Sequence, residues 1–128
     1  TSQILCDGKP VTSLSDDKRK AIIERTQNGG AEIVKLLKTG SAFYAPASSV
    51  AQMVDAVLND KSDVLPVCAH CNGEYGITGM YCGVAATLGK NGIKKIVQIP
   101  LTAEEQKMLK DSVTKVDAGI REVAAMSF

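Results

Sequence analysis

The sequence has no tryptophan, and aromatic residues make up only 4% of its 128 residues. This scarcity argues against a surface that stacks nucleic-acid bases, because such surfaces are built from aromatic side chains. An excess of positive charge is also missing, since 15 basic residues face 14 acidic ones for a formal net charge of +1. Proteins that bind nucleic acid usually carry a clear basic surplus. We therefore expect no nucleic-acid partner.

Long hydrophobic runs are absent as well. No stretch approaches the roughly 20 apolar residues that a membrane span needs, so we expect no membrane partner. The N-terminus has no basic flank and no apolar stretch of signal-peptide length. Four cysteines are too few for a disulfide scaffold, which favours reduced thiols and a cytoplasmic location. The first residue is Thr1, so we expect a processed product or a piece of a longer protein.

The order of periodic segments predicts an α+β fold in a single domain, residues 1–128. Asp7-Gly8 between short apolar pairs predicts a hairpin over residues 4–12. After the hairpin, apolar residues recur at the spacing of a helix. A first helix begins after Ser15, provided that Gly29-Gly30 does not break it, and ends at Gly40. A second helix spans 46–59.

Residues 63–99 predict three consecutive, mostly antiparallel strands, with turns near 72–76 and 89–92. Thr102 and Glu105 then have the spacing of a capping box and open a long C-terminal helix. Apolar residues recur along that helix at alternating spacings of four and three, which predicts a face packed on the sheet or on a partner. The expected fold thus has two N-terminal helices, a mostly antiparallel sheet and a long C-terminal helix.

The segment Cys68-Ala69-His70-Cys71 is the most conspicuous candidate for chemistry. A redox Cys-x-x-Cys motif is one interpretation, although such motifs usually open a helix just after a strand. Here the motif continues a strand, so Cys68 and His70 should share one face, and Cys71 should lie on the other. A zinc site that adds Cys82 is a second interpretation, but Cys82 stands alone in an apolar strand. We favour structural cysteines and expect no metal site.

Two other features concern ligands. The run 83–90 resembles a phosphate loop but has the wrong spacing and precedes a strand, and no Gly-x-Gly-x-x-Gly fingerprint occurs. The bridge Ser41-Ala42-Phe43-Tyr44-Ala45-Pro46 contains small residues at a helix junction. Such a junction allows either tight helix packing or the close approach of a flat ligand.

Several blocks of sequence resemble the second half of the malate and lactate dehydrogenase family. The first and most specific block runs from Gly29 to Ala47, with the letters GGAEIVKLLKTGSAFYAPA. Further blocks are Asn72-Gly73-Glu74-Tyr75-Gly76, Leu88-Gly89-Lys90-Asn91-Gly92 and Ile99-Pro100-Leu101-Thr102. The resemblance covers roughly residues 15–120. It is closest to the lactate-dehydrogenase-like malate dehydrogenases and to apicomplexan lactate dehydrogenases.

This resemblance implies the substrate-side C-terminal domain of an NAD-dependent 2-hydroxy-acid dehydrogenase. Such an enzyme interconverts malate and oxaloacetate, which we favour, or lactate and pyruvate. The family's catalytic histidine is followed by Gly-Asp, whereas His70 is followed by Cys71-Asn72. We therefore expect no catalytic residue in this chain, no NAD-binding domain, and no activity when the chain is isolated.

The resemblance also implies site residues and partners. Ser41 and Ala42 correspond to positions near the substrate, a small 2-hydroxy or 2-oxo acid, and Pro46 to a position near the nicotinamide ring of NAD. Ala42 stands where many lactate dehydrogenases have threonine. The expected partners are the missing NAD-binding half and further copies of the chain in a dimer or tetramer, with the helix near 16–38 at an interface. A stand-alone oligomerisation or interaction module is the alternative function.

Overall fold

A computed structural model describes residues 3–126 of the chain. The helices are α1 (Asp16–Leu37), α2 (Tyr44–Leu58) and α3 (Ala103–Ala125). The strands are β1 (Leu5–Cys6), β2 (Lys9–Pro10), β3 (Val64–Asn72), β4 (Thr78–Gly89) and β5 (Gly92–Ile96). This confirms the predicted α+β class and the predicted order of its elements. The chain divides into two compact units between Val50 and Ala51, within α2.

The first unit begins with the predicted hairpin. Strands β1 and β2 pair antiparallel around Asp7 and Gly8, whose φ angles are 50° and 73°. Two successive positive φ angles are typical of the type I′ turns that favour Asp-Gly. The backbone N–H of Val11 donates to the carbonyl of Ile4 over 2.8 Å, and the Val11 side chain is buried.

Helix α1 runs without a break through Gly29-Gly30. Ser15 precedes it as expected, but its side chain makes no capping hydrogen bond. The predicted end at Gly40 is wrong, because the helix stops at Leu37. Lys38 takes the left-handed conformation, with φ of 63°, and its N–H donates to the carbonyl of Val34 over 3.1 Å. The chain therefore leaves the helix two residues before the glycine that sequence rules favour.

The apolar residues of α1 do not enter a core. None of the helix's residues is buried, and Ile22 and Leu36 are 51% and 74% exposed. On the same helix Arg25 forms two hydrogen bonds to the Glu32 carboxylate, at 3.2 and 3.1 Å. These bonds and the ion pair raise the pKa of Arg25 and lower that of Glu32.

The second unit contains a sheet of order β3-β4-β5, antiparallel throughout. Burial alternates strictly along β3, as expected when one face of a strand is packed and the other is open. The buried faces of β3 and β4 meet in pairs such as Val67 opposite Val84 and Ala69 opposite Cys82. Ala56 of α2 belongs to the same core, and Leu109 of α3 packs against it.

The strand limits differ slightly from those expected. Strand β3 extends to Asn72, so the whole Cys-x-x-Cys segment lies inside it, and β5 ends at Ile96. Strands β4 and β5 are joined by Lys90-Asn91, followed by Gly92 with φ of 90°. Gly92 pairs with Gly89, and the register shifts farther along, between Thr87 and Leu88, where Lys94 is the extra residue of β5. Such an extra residue is a β-bulge.

Helix α3 begins with the predicted capping box. The N–H of Glu105 donates to the hydroxyl of Thr102 over 3.2 Å, and the N–H of Thr102 donates to the Glu105 carboxylate over 3.0 Å. Farther along, Ile120 and Val123 are exposed, so only the first part of the apolar stripe meets the core. Within residues 3–126, no helix has the combination of length and apolar character required to cross a membrane.

A polar cluster ties the loop after α2 to the β4–β5 hairpin. The Asp60 carboxylate accepts a hydrogen bond from the N–H of Lys90 at 2.9 Å and pairs with the Lys94 ammonium at 2.5 Å. Lys94 also donates to the Ser62 hydroxyl over 2.7 Å. A methyl group on Gly89 would collide with the Lys94 and Asp60 side chains. The glycine therefore allows this cluster to form.

Replacing Asp60 with asparagine should lower the melting temperature, because it removes the ion pair with Lys94. The ammonium and the Lys90 N–H lower the pKa of Asp60 in the folded chain. The contribution of Asp60 is therefore complete above its unfolded pKa of about 3.9, and it is lost as pH falls through the lower folded value. Thermal unfolding at several pH values should show the wild-type advantage shrinking below about pH 4.

Asp111→Asn is the matched control for that experiment. Asp111 is exposed on α3 and forms no ion pair within the described part of the chain. Equal melting temperatures for the Asp60 variant and the wild type at neutral pH would contradict the stabilising role assigned to the cluster.

Candidate functional site

The segment that joins α1 to α2 contains Ser41 and Ala42, the predicted substrate contacts. After Lys38, the N–H of Thr39 bonds the carbonyl of Leu37 at 2.7 Å, and Gly40 has φ of 88°. Residues 41–43 belong to no helix or strand. Ser41 is exposed and Ala42 is half-buried. Two left-handed residues thus redirect the chain and present the small side chains that the sequence singled out.

Hydrogen-bond donors are available along this segment. Within residues 3–126, neither the hydroxyl of Ser41 nor the N–H groups of Ser41 and Ala42 have a hydrogen-bond partner. The carbonyl of Phe43 accepts the first helical bond of α2, from the N–H of Ala47 at 2.9 Å. The N–H groups that precede this bond have no partner inside the helix. They lie at the N-terminal end of α2, where the helix dipole favours negative charge. Such a set of donors suits a carboxylate or a carbonyl oxygen.

Pro46 is the third residue of α2 and is exposed. Proline is tolerated in the first turn because the N–H that it lacks would have no partner inside the helix. Its ring therefore adds a rigid apolar surface close to the polar donors. The aromatic rings of Phe43 and Tyr44 lie beside it in sequence, with their centroids 4.7 Å apart.

No charged residue occurs between Lys38 and Asp55. The segment can thus contribute shape, apolar surface and neutral donors to a site. It supplies no carboxylate, ammonium, guanidinium or imidazole, so a counter-charge must come from elsewhere.

The Cys-x-x-Cys segment has the geometry predicted from strand alternation. Cys68 and His70 are exposed, and Cys71 is buried on the opposite face of β3. The His70 ring stacks edge-on against Tyr81, with centroids 5.0 Å apart. Because the first and last cysteines face opposite ways, they cannot form a disulfide with each other.

Glu74 bonds to the backbone of the turn that follows β3. Its carboxylate accepts a hydrogen bond of 2.6 Å from the N–H of Asn72. That bond and a second one from its own N–H lower the pKa of Glu74, and the charge of His70 has a smaller influence. The carboxylate thus stabilises the turn after β3. In the part of the chain that the structure covers, no three histidine, cysteine, aspartate or glutamate side chains come together as a metal site would require.

A close contact between Cys71 and Cys82 was not anticipated from the sequence. Their sulfur atoms lie 3.2 Å apart, and both cysteines are free and buried. Burial, followed by the hydrogen bond with Cys82, raises the pKa of Cys71 to about 12. Cys71 is therefore protonated, and burial keeps both thiols from reacting in the folded chain.

Thiol labelling checks this assignment. In the folded chain Cys6 and Cys68 should react quickly with a thiol reagent such as dithionitrobenzoate, whereas Cys71 and Cys82 should react only after unfolding. Cys68→Ser should remove one fast-reacting thiol, and Cys82→Ser should remove none. Fast reaction of all four thiols under native conditions would contradict the assignment.

Two helices, an antiparallel three-stranded sheet and a capped C-terminal helix define an α+β domain of the class found in 2-hydroxy-acid dehydrogenases. The chain belongs to the lactate/malate dehydrogenase, alpha/beta C-terminal domain family, which it matches over residues 5–127. The resemblance seen in the sequence is thereby confirmed.

Individual relatives support this membership. The chain is 52% identical over 110 residues to a malate dehydrogenase of Rhodopirellula baltica, covering 85% of this chain and 35% of that protein. A malate dehydrogenase of Citrifermentans bemidjiense is 48% identical over 120 residues, covering 86% of this chain and 38% of that protein. The chain thus spans little more than a third of the length of these relatives.

Solved structures agree with the sequence relatives. A malate dehydrogenase from Cryptosporidium parvum superposes with a TM-score of 0.91 at 33% identity, covering 98% of this chain and 42% of that one. A lactate dehydrogenase from the same organism, solved with lactic acid and nicotinamide adenine dinucleotide, superposes with a TM-score of 0.92 at 32% identity. That alignment also covers 98% of this chain and 42% of the other.

Proposed function

We propose that the chain is the substrate-side domain of an NAD-dependent 2-hydroxy-acid dehydrogenase, with malate and oxaloacetate as the favoured pair. Lactate and pyruvate are the second choice. The observation that carries the proposal is the family match over residues 5–127, together with identity near 50% to malate dehydrogenases. The proposed enzyme works in the cytoplasm on small acids.

Ser41 and Ala42 are proposed to contact the substrate, and Pro46 the nicotinamide ring. The free hydroxyl and N–H donors at Ser41 and Ala42 suit the oxygen atoms of a small acid. The exposed ring of Pro46 offers an apolar surface for a flat heterocycle. These residues fit the nicotinamide end of NAD, which supplies or accepts a hydride when it is bound.

The rest of the cofactor has no counterpart in this sequence. No Gly-x-Gly-x-x-Gly segment is present, and the sheet is antiparallel rather than the parallel sheet that binds dinucleotides. We therefore propose that activity requires an NAD-binding half in addition to these residues, and that the 128-residue chain alone is inactive.

A chimera tests both parts of this proposal. The aligned part of the chain, 85% of its length, would replace the matching 110-residue segment of the Rhodopirellula baltica malate dehydrogenase. NADH oxidation would be followed with oxaloacetate and with pyruvate, for the chimera, the parent enzyme and the isolated chain. We expect turnover by the chimera, faster with oxaloacetate, and none by the isolated chain. Turnover by the isolated chain, or a folded chimera inactive with both acids, would refute the proposal.

Self-association through α1 is the second candidate function. It is favoured because α1 has no buried residue and exposes Ile22, Ile33 and Leu36. Apolar surface of this extent often marks a protein interface. We propose that it joins copies of the chain in a dimer or tetramer.

Light scattering coupled to size-exclusion chromatography distinguishes this candidate. We expect a mass above 13.5 kDa that falls toward the monomer value in an Ile22→Glu, Ile33→Glu double variant. A clean monomer at high concentration would exclude self-association of the isolated chain. It would not affect the dehydrogenase proposal, which the chimera assay tests.

A further inference from the structure

A cavity of about 470 Å³ lies beside the start of α3. The turn at Tyr75, residues 98–101 and the first two turns of α3 form its walls. Small-molecule sites commonly have volumes between about 300 and 1,000 Å³, so this cavity is of a suitable size. All of it lies within the second unit, and it includes none of the residues from Ser41 to Pro46.

Tyr75 holds the walls of this cavity in place. Its N–H donates to the side-chain oxygen of Gln98 over 3.0 Å. Its hydroxyl donates to the carbonyl of Val97 at 3.2 Å and accepts from the N–H of Ile99 at 2.7 Å. Tyr75 also has a left-handed backbone, with φ of 54°. Such a conformation persists in a non-glycine residue only when the surroundings enforce it. The cavity is therefore preformed.

Two polar groups on the cavity wall have no partner among residues 3–126. Within residues 3–126, the Lys110 ammonium forms no ion pair and the side-chain nitrogen of Gln98 makes no hydrogen bond. The positions that could pair with Lys110 along the helix hold no carboxylate. Those positions are Gln106, Lys107, Val113 and Thr114. An unpaired ammonium and an amide donor beside one cavity favour an anion.

An apolar recess adjoins this cavity. It has a volume of about 350 Å³, and four residues line both recesses: Tyr75, Ile99, Leu101 and Leu109. Gly83, Ala85 and the half-exposed Met108 line its far side. Together the two recesses combine a cationic end with an apolar end.

We propose that these recesses bind an aliphatic carboxylate, with its head at Lys110 and Gln98 and its chain along Met108 and Gly83. Glu105 borders only the apolar recess, where its carboxylate caps α3 through Thr102. A ligand in the opposite orientation would place its carboxylate beside that negative charge. The charges therefore determine the orientation of the ligand as well as its class. This proposal is independent of the dehydrogenase proposal.

Nuclear magnetic resonance on the ¹⁵N-labelled 128-residue chain provides the test, since amide spectra report both folding and the place of binding. Octanoate is the probe, with octanol as the uncharged analogue. We expect saturable shifts at Gln98, Ile99, Met108 and Lys110. Lys110→Met should weaken octanoate binding about tenfold, the effect of losing one charge-assisted contact.

Lys115→Met is the matched control, because Lys115 is an exposed lysine of α3 that borders neither recess. It should bind octanoate like the wild type. Met108→Gln should weaken octanoate binding through the apolar end. The proposal is overturned if no saturable shift occurs at these residues, if Lys110→Met binds octanoate as tightly as the wild type, or if octanol binds as tightly as octanoate.

Discussion

Tryptophan in place of Ala42 should reduce kcat/KM for oxaloacetate at least about a hundredfold in the chimeric enzyme, which corresponds to about 2.7 kcal/mol of lost transition-state stabilisation. Ala42 is half-buried in the open segment between α1 and α2. On the proposed placement, an indole ring there would occupy the space of the substrate. Because the substrate could no longer approach the donors at Ser41, both kcat and KM should be affected.

The matched control is Ala103→Trp, at an exposed alanine that begins α3. It adds the same side chain outside the proposed site and should leave kcat/KM within a factor of about two, as expected of surface substitutions. Amide or circular dichroism spectra would verify that both chimeras fold. Full activity of a folded Ala42→Trp chimera would remove Ala42 from the proposed substrate contact.

Much of the second unit could be predicted because its residues encode local rules. Alternation along β3 correctly assigned Cys68 and Cys71 to opposite faces. Thr102 and Glu105 form the predicted capping box, since both partners are close in sequence and need no tertiary context. The register of β3 with β4 follows from the same alternation, because a slip by one residue would expose the apolar face.

Other features depended on contacts that periodicity does not encode. The end of α1 was misplaced because Lys38 takes a conformation that sequence rules reserve for glycine. The contact of Cys71 with Cys82 depends on strand register and side-chain rotamers together. The role of Tyr75 was hidden for a similar reason, because its partners Val97, Gln98 and Ile99 lie more than 20 residues away in sequence.

Unlike the fold, the candidate site could not be predicted from the chemistry of its residues. Nothing in the chemistry of Ser41 or Ala42 identifies a substrate contact, because neither residue titrates or carries charge. Small residues at a helix junction indicate close packing as readily as ligand binding. Only the family resemblance of the run from Gly29 to Ala47 favoured ligand binding over close packing. The family match supports that resemblance. The open donors at residues 41–42 add an independent physical reason.

Leu88→Ala should destabilise the chain by about 3 kcal/mol, within the range of buried leucine truncations. Leu88 is only 4% exposed at the end of β4 and belongs to the core that joins the sheet to Ala56. Truncation leaves a cavity that neighbouring strands cannot fill without breaking register. Since domains of this size are stable by only about 5–15 kcal/mol, a loss of this size should be plain in urea unfolding.

Leu58→Ala makes the same chemical change at a leucine that is 76% exposed at the end of α2. It should alter the free energy of unfolding by less than about 0.5 kcal/mol. If Leu88→Ala does not fold, Leu88→Ile replaces it, with an expected cost below about 1.5 kcal/mol because volume is conserved. Equal urea midpoints for the Leu88 and Leu58 variants would show that Leu88 does not stabilise the core, and its assignment to the core would be wrong.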